Sequence, residues 1–372
     1  MENAINVSAH YLMPQRVHNM VSDFTWMIGG PQGSGVETAA NIFSQVFSKM
    51  GYQIFGKREY YSNIKGEHSY FAVRISDKKI RSSVKGTNML IAFDAETIFR
   101  HVDDVLENGI IIYDSTLENM KISDVITFEN DFKDRLENIL KSKNKESNVK
   151  GMLELASENG VTIHSVSFRS LLTELSEKLE NPRIKNMSRM FNVLGVSLSL
   201  GLLMIPSEKL TESINSIFSK KKSIADMNVS AANFAYNYAA AKFDEPNFKF
   251  KAKEIEENTL LVQGYYGTSL GKIIAGCRFQ SYYPITPATD ESNFLETNEI
   301  LEINEDRPGS TLVIQTEDEI SAIGMAIGSS LTGVRSATCT SGPGFVLMAE
   351  CLSWAGINEV PVVITFYQRS GS

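Results

Sequence analysis

Cysteine is scarce in this chain. There are three in 372 residues, Cys277, Cys339 and Cys351, and none is spaced as a C-x-x-C pair. That excludes the usual zinc and iron–sulfur ligand patterns and suits a reducing compartment, where thiols serve as small apolar residues. Clustered positive charge is also missing. The net charge is −8, and the one short basic run, Lys220-Lys221-Lys222, reads as a solvated helix end. Nucleic acid is therefore excluded as the main partner. Long hydrophobic runs are absent too. The greasiest stretch, Val193–Ile205, is broken by Gly and Ser and is too short to cross a bilayer. The amino terminus has no basic segment followed by an apolar run, so no secretory signal is read. Together these absences predict a cytoplasmic protein without a membrane partner.

What is present is ordinary globular composition, in a chain long enough for two or three domains. Residues 1–22 read as a polar lead-in. Phe24–Ile28 reads as a buried strand, followed by "GGPQGSG" and a helical pattern over 36–50, the opening of an α/β unit. Further strands are expected at 69–75, 89–93, 109–114 and 161–166, and helices at 168–180, 186–203, 208–220 and 229–243, with a surface loop near 141–150. The first domain is thus a doubly wound α/β domain over 23–243. The charged stretch 244–256, with Pro246, reads as a linker. A second doubly wound α/β domain over 257–372 is expected to open with a strand at 260–263, a glycine turn (Gly264, Gly267) and a helix at 268–277. Strands follow at 311–315, 335–339 and 360–366, and helices at 319–331 and 344–356. The sequence stops at "VPVVITFYQRSGS", just after a buried strand that should lead into a crossover helix, which predicts a segment of a longer chain.

Four stretches could carry chemistry. The glycine turn, with Gly30, Gly33, Ser34 and Gly35, can cradle an anion with free backbone N–H groups or merely let strand and helix approach. It is no Walker A loop, because Val36 stands where Lys is required, and Thr38 breaks the dinucleotide fingerprint. In "QTEDEISAIGMAIGSSL", Thr316 and Glu319 form a T-x-x-E capping box. Its carboxylates lie at the head of a helix lined with small residues, so one of them could also meet a heterocycle nitrogen. "TSGPGF" places Ser341, Gly342, Pro343 and Gly344 in a tight turn that opens a helix, either as a plain connection or facing a ligand. Arg369, in "YQRSGS" just past a strand end, is suited to clamp a planar carboxylate. In "YYPITPATDES", Pro287 suits the first position of a helix and Thr286 its N-cap, where the hydroxyl can also meet an anion.

Taken together, "YPITPATDES", "QTEDEISAIGMAIG", "TSGPGF" and "VPVVITFYQR" resemble the α subunit of 2-oxoacid:ferredoxin oxidoreductases. The first block resembles that family's γ domain, fused ahead of α as in the archaeal two-subunit enzymes. The resemblance implies a γ-type domain followed by a thiamine-diphosphate-enzyme (pyrimidine-binding-like) domain, incomplete at its carboxyl end. It implies oxidative decarboxylation of a 2-oxoacid with coenzyme A to acyl-CoA and CO2, with reduction of ferredoxin. By the match of motifs, Glu319 would contact the aminopyrimidine of thiamine diphosphate, with Glu317 the competing candidate. Ser341, Gly342, Pro343 and Gly344 would lie against the same cofactor. Thr286 and Arg369 would face the substrate carboxylate, with Tyr283, Pro284, Ile285 and Pro287 around it. The turn at Gly30, Gly33, Ser34 and Gly35 is a candidate coenzyme A or anion loop. This chain carries neither a G-D-G…N motif nor a cluster-forming cysteine set. The resemblance implies that Mg2+, the diphosphate end of the cofactor and a [4Fe–4S] cluster belong to a β subunit, without which the chain is inert; no metal is expected here. An NAD- or FAD-binding oxidoreductase and a non-catalytic structural subunit are the alternatives.

Overall fold

The computed structural model describes residues 19–60, 68–255, 257–304 and 307–368. The chain divides into two units after Thr259. No helix among the described residues is long and apolar enough to cross a membrane.

The first unit begins with β1 (Asn19–Met20), β2 (Asp23–Pro31), α1 (Val36–Ser48), β3 (Gln53–Tyr60), β4 (His68–Ser76), β5 (Thr87–Ala92) and α2 (Ala95–His101). It continues with β6 (Val105–Asp114), α3 (Asn130–Ser142), α4 (Val149–Glu158), β7 (Thr162–Val166), α5 (Phe168–Lys178) and α6 (Phe191–Leu202). It closes with α7 (Ser207–Ile217), α8 (Lys222–Lys242) and β8 (Phe248–Lys249). Six strands form one sheet in the order β3-β4-β2-β5-β6-β7. The strands from β2 to β7 run parallel, while β4 is antiparallel to both β2 and β3.

Alternation along the central strands explains why both faces are covered. Phe24, Trp26 and Ile28 of β2, Met89 and Ile91 of β5, and Ile110 and Ile112 of β6 enter one core with α1 and α6. Their neighbours Met27, Leu90, Ala92, Ile111 and Tyr113 enter the other, with α2 and α4. Strands buried on both faces read as continuous apolar runs, which is why the sequence showed them. The greasy stretch after Phe191 is α6, buried on all sides, as a helix apolar all round must be. On it Ser199 accepts the indole N–H of Trp26 at 2.9 Å, while that ring stacks on Phe43.

The charged stretch 244–256 is no free tether where it is described. β8 pairs with β1, and the Phe248 and Phe250 rings pack edge-on against Phe24 at 5.1 and 5.3 Å. Apolar residues placed between the charges make it part of the first unit.

The second unit comprises α9 (Gly264–Ile274), β9 (Phe279–Tyr282), α10 (Thr289–Thr297), β10 (Ile300–Asn304), β11 (Arg307–Ser310) and β12 (Leu312–Gln315). After these come α11 (Glu319–Leu331), β13 (Ser336–Thr340), α12 (Gly342–Leu347), α13 (Ala349–Ile357) and β14 (Val363–Phe366). Four parallel strands form a sheet in the order β12-β9-β13-β14, and β10 and β11 form a separate antiparallel hairpin. The strand expected at 260–263 is absent. Leu260, Leu261 and Val262 are exposed without a sheet neighbour, and Gly264 and Gly267 belong to α9.

Candidate active site at the carboxyl edge of the second sheet

The second sheet has the strand order 2-1-3-4, which places its topological switch point between β9 and β13. Ligands of open α/β sheets sit outside the carboxyl ends of the strands at such a point. The candidate residues follow those ends: Thr286 after β9, Glu319 after β12 and Ser341–Gly344 after β13. Arg369 follows β14 in sequence and lies outside the described residues.

The three carboxylates ahead of α11 have separate fates. Glu317 is exposed. Asp318 is the N-cap and accepts the Ser321 N–H at 2.6 Å, which holds its carboxyl below the usual range. The T-x-x-E capping box is thereby corrected. Thr316 is turned the other way, its hydroxyl donating to the Asp318 carbonyl at 2.8 Å with the Tyr282 carbonyl as the more distant acceptor at 3.2 Å. Glu319 is then the first helical residue. It is only 6% exposed, and among the described residues its carboxylate takes no hydrogen bond or ion pair.

Glu319 reaches from the end of β12 to the turn after β13. A Cβ placed on Gly344 would stand 2.5 Å from Glu319 Oε1 and 2.7 Å from its Cγ, besides striking the Thr340 hydroxyl. Glycine at 344 is therefore what makes room for the carboxylate. Ser341, the N-cap of α12, is 1% exposed, and its hydroxyl has no partner. A buried carboxylate and a buried hydroxyl, both unpartnered among the described residues and both at the switch point, fit a polar heterocycle.

The Y-P-I-T-P segment departs from its sequence reading. The Thr286–Pro287 peptide is cis, and α10 starts at Thr289 with Ala288 as N-cap. Thr286 is thus not the N-cap, nor Pro287 the first helical residue. The chain turns at the cis bond before helical geometry begins. Tyr283, Pro284 and Thr286 are exposed, while Ile285 and Pro287 are half-buried.

Behind this segment lies a buried polar network that the sequence reading missed. Glu291 of α10 is fully buried. One of its carboxylate oxygens meets Lys272 Nζ of α9, and the other accepts the Tyr367 hydroxyl at 2.6 Å. Lys272 also donates to Gln280 Oε1 at 2.8 Å, and Gln280 Nε2 to Ser292 at 2.8 Å. Cys339 completes the group, its thiol pushed up to about 12 by burial and then by Glu291. Burial, followed by Glu291, also raises the Tyr367 hydroxyl. A Lys and a Glu on the apolar sides of short helices were the available signal.

A cavity of about 330 Å3, lined by Ala275, Cys277, Val334 and Val363 among others, lies at the opposite, amino-terminal edge of this sheet. Its lining is largely apolar and holds none of the candidate residues.

In the first unit, Gly29 and Gly30 belong to β2, so the turn proper is Gln32–Gly35. Gly35 has φ +88° and is the N-cap of α1, without any side-chain cap. Its carbonyl accepts Asn192 Nδ2 of α6 at 3.2 Å. A second cavity of about 330 Å3 adjoins the turn, with Gly33, Ser34, Thr38, Arg189 and Asn192 in its wall.

Comparison with known proteins agrees with both units. Residues 25–238 match the family pyruvate ferredoxin/flavodoxin oxidoreductase. Residues 270–372 match the family pyruvate flavodoxin/ferredoxin oxidoreductase, thiamine diphosphate-binding. The chain is 44% identical to 2-oxoacid:ferredoxin oxidoreductase 1, subunit alpha, of Sulfurisphaera tokodaii, over 93% of this chain and 55% of that protein. It is 41% identical to the corresponding alpha subunit of Saccharolobus solfataricus, over 93% of this chain and 54% of that one. The chain thus spans about half the length of the curated relatives it matches. The fold is shared with a 2-oxoglutarate:ferredoxin oxidoreductase from Magnetococcus marinus, solved with 2-oxoglutarate, coenzyme A and succinyl-CoA bound. That likeness has TM-score 0.68 at 22% identity and covers 95% of this chain and 53% of that one. The chain belongs to the pyruvate ferredoxin/flavodoxin oxidoreductase family.

Proposed function

We propose that this chain forms the γ- and α-type part of an enzyme that oxidatively decarboxylates a 2-oxoacid with coenzyme A and passes the electrons to ferredoxin. The observation that carries this reading is Glu319: buried, at a helix start, at the switch point, and unpaired among the described residues. When bound, thiamine diphosphate supplies the carbon nucleophile and electron sink that the reaction needs. Glu319 would share a proton in a hydrogen bond with a ring nitrogen of its aminopyrimidine, and the Ser341–Gly344 turn would lie beside the same ring. The exposed Thr286 hydroxyl donates to the substrate carboxylate, and Arg369 pairs with it. Tyr283, Pro284, Ile285 and Pro287 shape the surroundings.

The uncapped amino terminus of α1, with Gly33, Ser34 and Gly35 and the adjoining cavity, offers backbone N–H groups to an anion. We assign it to a phosphate of coenzyme A. A β subunit supplies Mg2+, the diphosphate site and the [4Fe–4S] cluster, in a cytoplasmic complex. Replacing Glu319 by Gln in the complex of full-length chain and partner tests the reading. Loss of one proton-handling carboxylate should lower 2-oxoacid-dependent ferredoxin reduction by about 10²–10⁴-fold. An unchanged rate would overturn it.

A further inference from the structure

Tyr367, just after β14, ties that strand end to the Y-P-I-T-P segment. Its ring packs on the small apolar cluster of Tyr282, Ala288 and Cys339, with Ile285 alongside. Its N–H donates to the Thr340 carbonyl at 2.9 Å, fixing it to the end of β13. Its hydroxyl donates to Glu291 Oε2 at 2.6 Å, and Thr268 of α9 also faces that hydroxyl. Glu291 in turn is held from the far side by Lys272. The buried carboxylate is therefore met on both oxygens, one by Lys272 and the other by the half-buried Tyr367.

A carboxylate this deep would be costly without full satisfaction. Its two oxygens tie three pieces of chain together: α9 through Lys272, α10 through Glu291 itself and the end of β14 through Tyr367. Ala288, one residue after Pro287, is pinned as well, since its carbonyl accepts the Cys339 thiol at 3.4 Å. Thr286 thus stands on a loop whose base is locked.

We infer that the Lys272–Glu291–Tyr367 clamp positions the Thr286 loop for the 2-oxoacid carboxylate, with Tyr367 as its positioning residue. The inference rests on the function proposed above. Tyr367 touches neither substrate nor cofactor in this account; it acts through the loop. A clamp of this kind sets how well the substrate carboxylate is met, and leaves the handling of coenzyme A untouched.

The test is Tyr367→Phe in the complex of full-length chain and partner subunit, a change that removes one oxygen and keeps the packed ring. The expected result is a rise of about tenfold in KM for the 2-oxoacid, the loss of one hydrogen bond to a charged group. kcat and KM for coenzyme A should each stay within about threefold. Thermal unfolding measured in parallel shows whether the variant is folded. An unchanged 2-oxoacid KM would overturn the inference, and so would an equal rise in both KM values, which would mean general loosening. Glu319→Gln assayed alongside separates the two proposals. If that variant is inactive while Tyr367→Phe keeps the normal KM, only the clamp falls. If Glu319→Gln is fully active, the underlying function falls.

Discussion

At the scale of single residues, the place of the Glu319 carboxylate in the candidate site is set by a glycine. Gly344 lies where any Cβ would collide with Glu319. Gly344→Ala should therefore push the Glu319 side chain out of place and lower the turnover of the complex by at least about tenfold. That is a loss of about 1.4 kcal/mol in transition-state stabilisation, seen in kcat with the protein still folded. A steady-state assay paired with a melting curve checks it, and normal turnover would show that Glu319 tolerates displacement. A second residue-scale expectation concerns His68 in the first unit. It is buried, 3.0 Å from the His101 ring nitrogen, with Tyr70 and Arg100 nearby and Asp104 on the far side of His101. Burial, then the charges of His101 and Arg100, lower its pKa to about 3. The unfolded chain binds that proton near pH 6.5 and the folded one does not, so stability is complete above about 6.5 and falls as pH drops towards 3. The slope from this group is at most about 1.4 kcal/mol per pH unit. His68→Gln should flatten the dependence of denaturation midpoint on pH between 6 and 4.

At the scale of elements, α9 and α10 are joined across the sheet face by Lys272 and Glu291. Removing one partner leaves a buried charge, so Glu291→Ala should cost about 3–5 kcal/mol in the second unit. Lys272→Met with Glu291→Leu should cost less than Glu291→Ala alone, which denaturant titration can decide. Reading elements from the chain succeeded where burial made the pattern continuous: β2, β5 and β6 bury apolar residues on both faces, β13 is buried along its whole length, and α11 was bounded correctly. It failed where the environment is mixed. β3, with Lys57, Arg58 and Glu59, is an edge strand, and its charges disguised it. Leu260–Val262 looked like a strand because they are apolar, yet no strand lies beside them. The α11 cap was misplaced by two residues because Thr316 and Asp318 are both good caps, and it is Asp318 that accepts the helix N–H while the Thr316 hydroxyl is used on backbone carbonyls. Thr286 was read as a cap since local sequence does not report the cis bond. In the site, Glu319 and the Ser341–Gly344 turn were legible as a motif. The Lys272–Glu291–Tyr367 group was not, since its members lie far apart in sequence and meet only after the sheet forms.

At the scale of the whole molecule, two α/β units carry different parts of the proposed chemistry. The first offers an uncapped helix start beside a cavity, and the second offers Glu319 and Thr286 at the carboxyl edge of a parallel sheet. Family membership extends across both, while the chain spans about half the length of its curated relatives. On the function proposed above, activity is expected of the complex with a partner that completes the diphosphate and electron-transfer sites. The most direct measurement is 2-oxoacid- and coenzyme A-dependent reduction of ferredoxin by that complex, comparing the natural chain with Glu319→Gln at saturating thiamine diphosphate. A fall of about 10²–10⁴-fold with the variant still assembled is predicted; equal rates for the two would contradict the assignment of Glu319 and the function built on it.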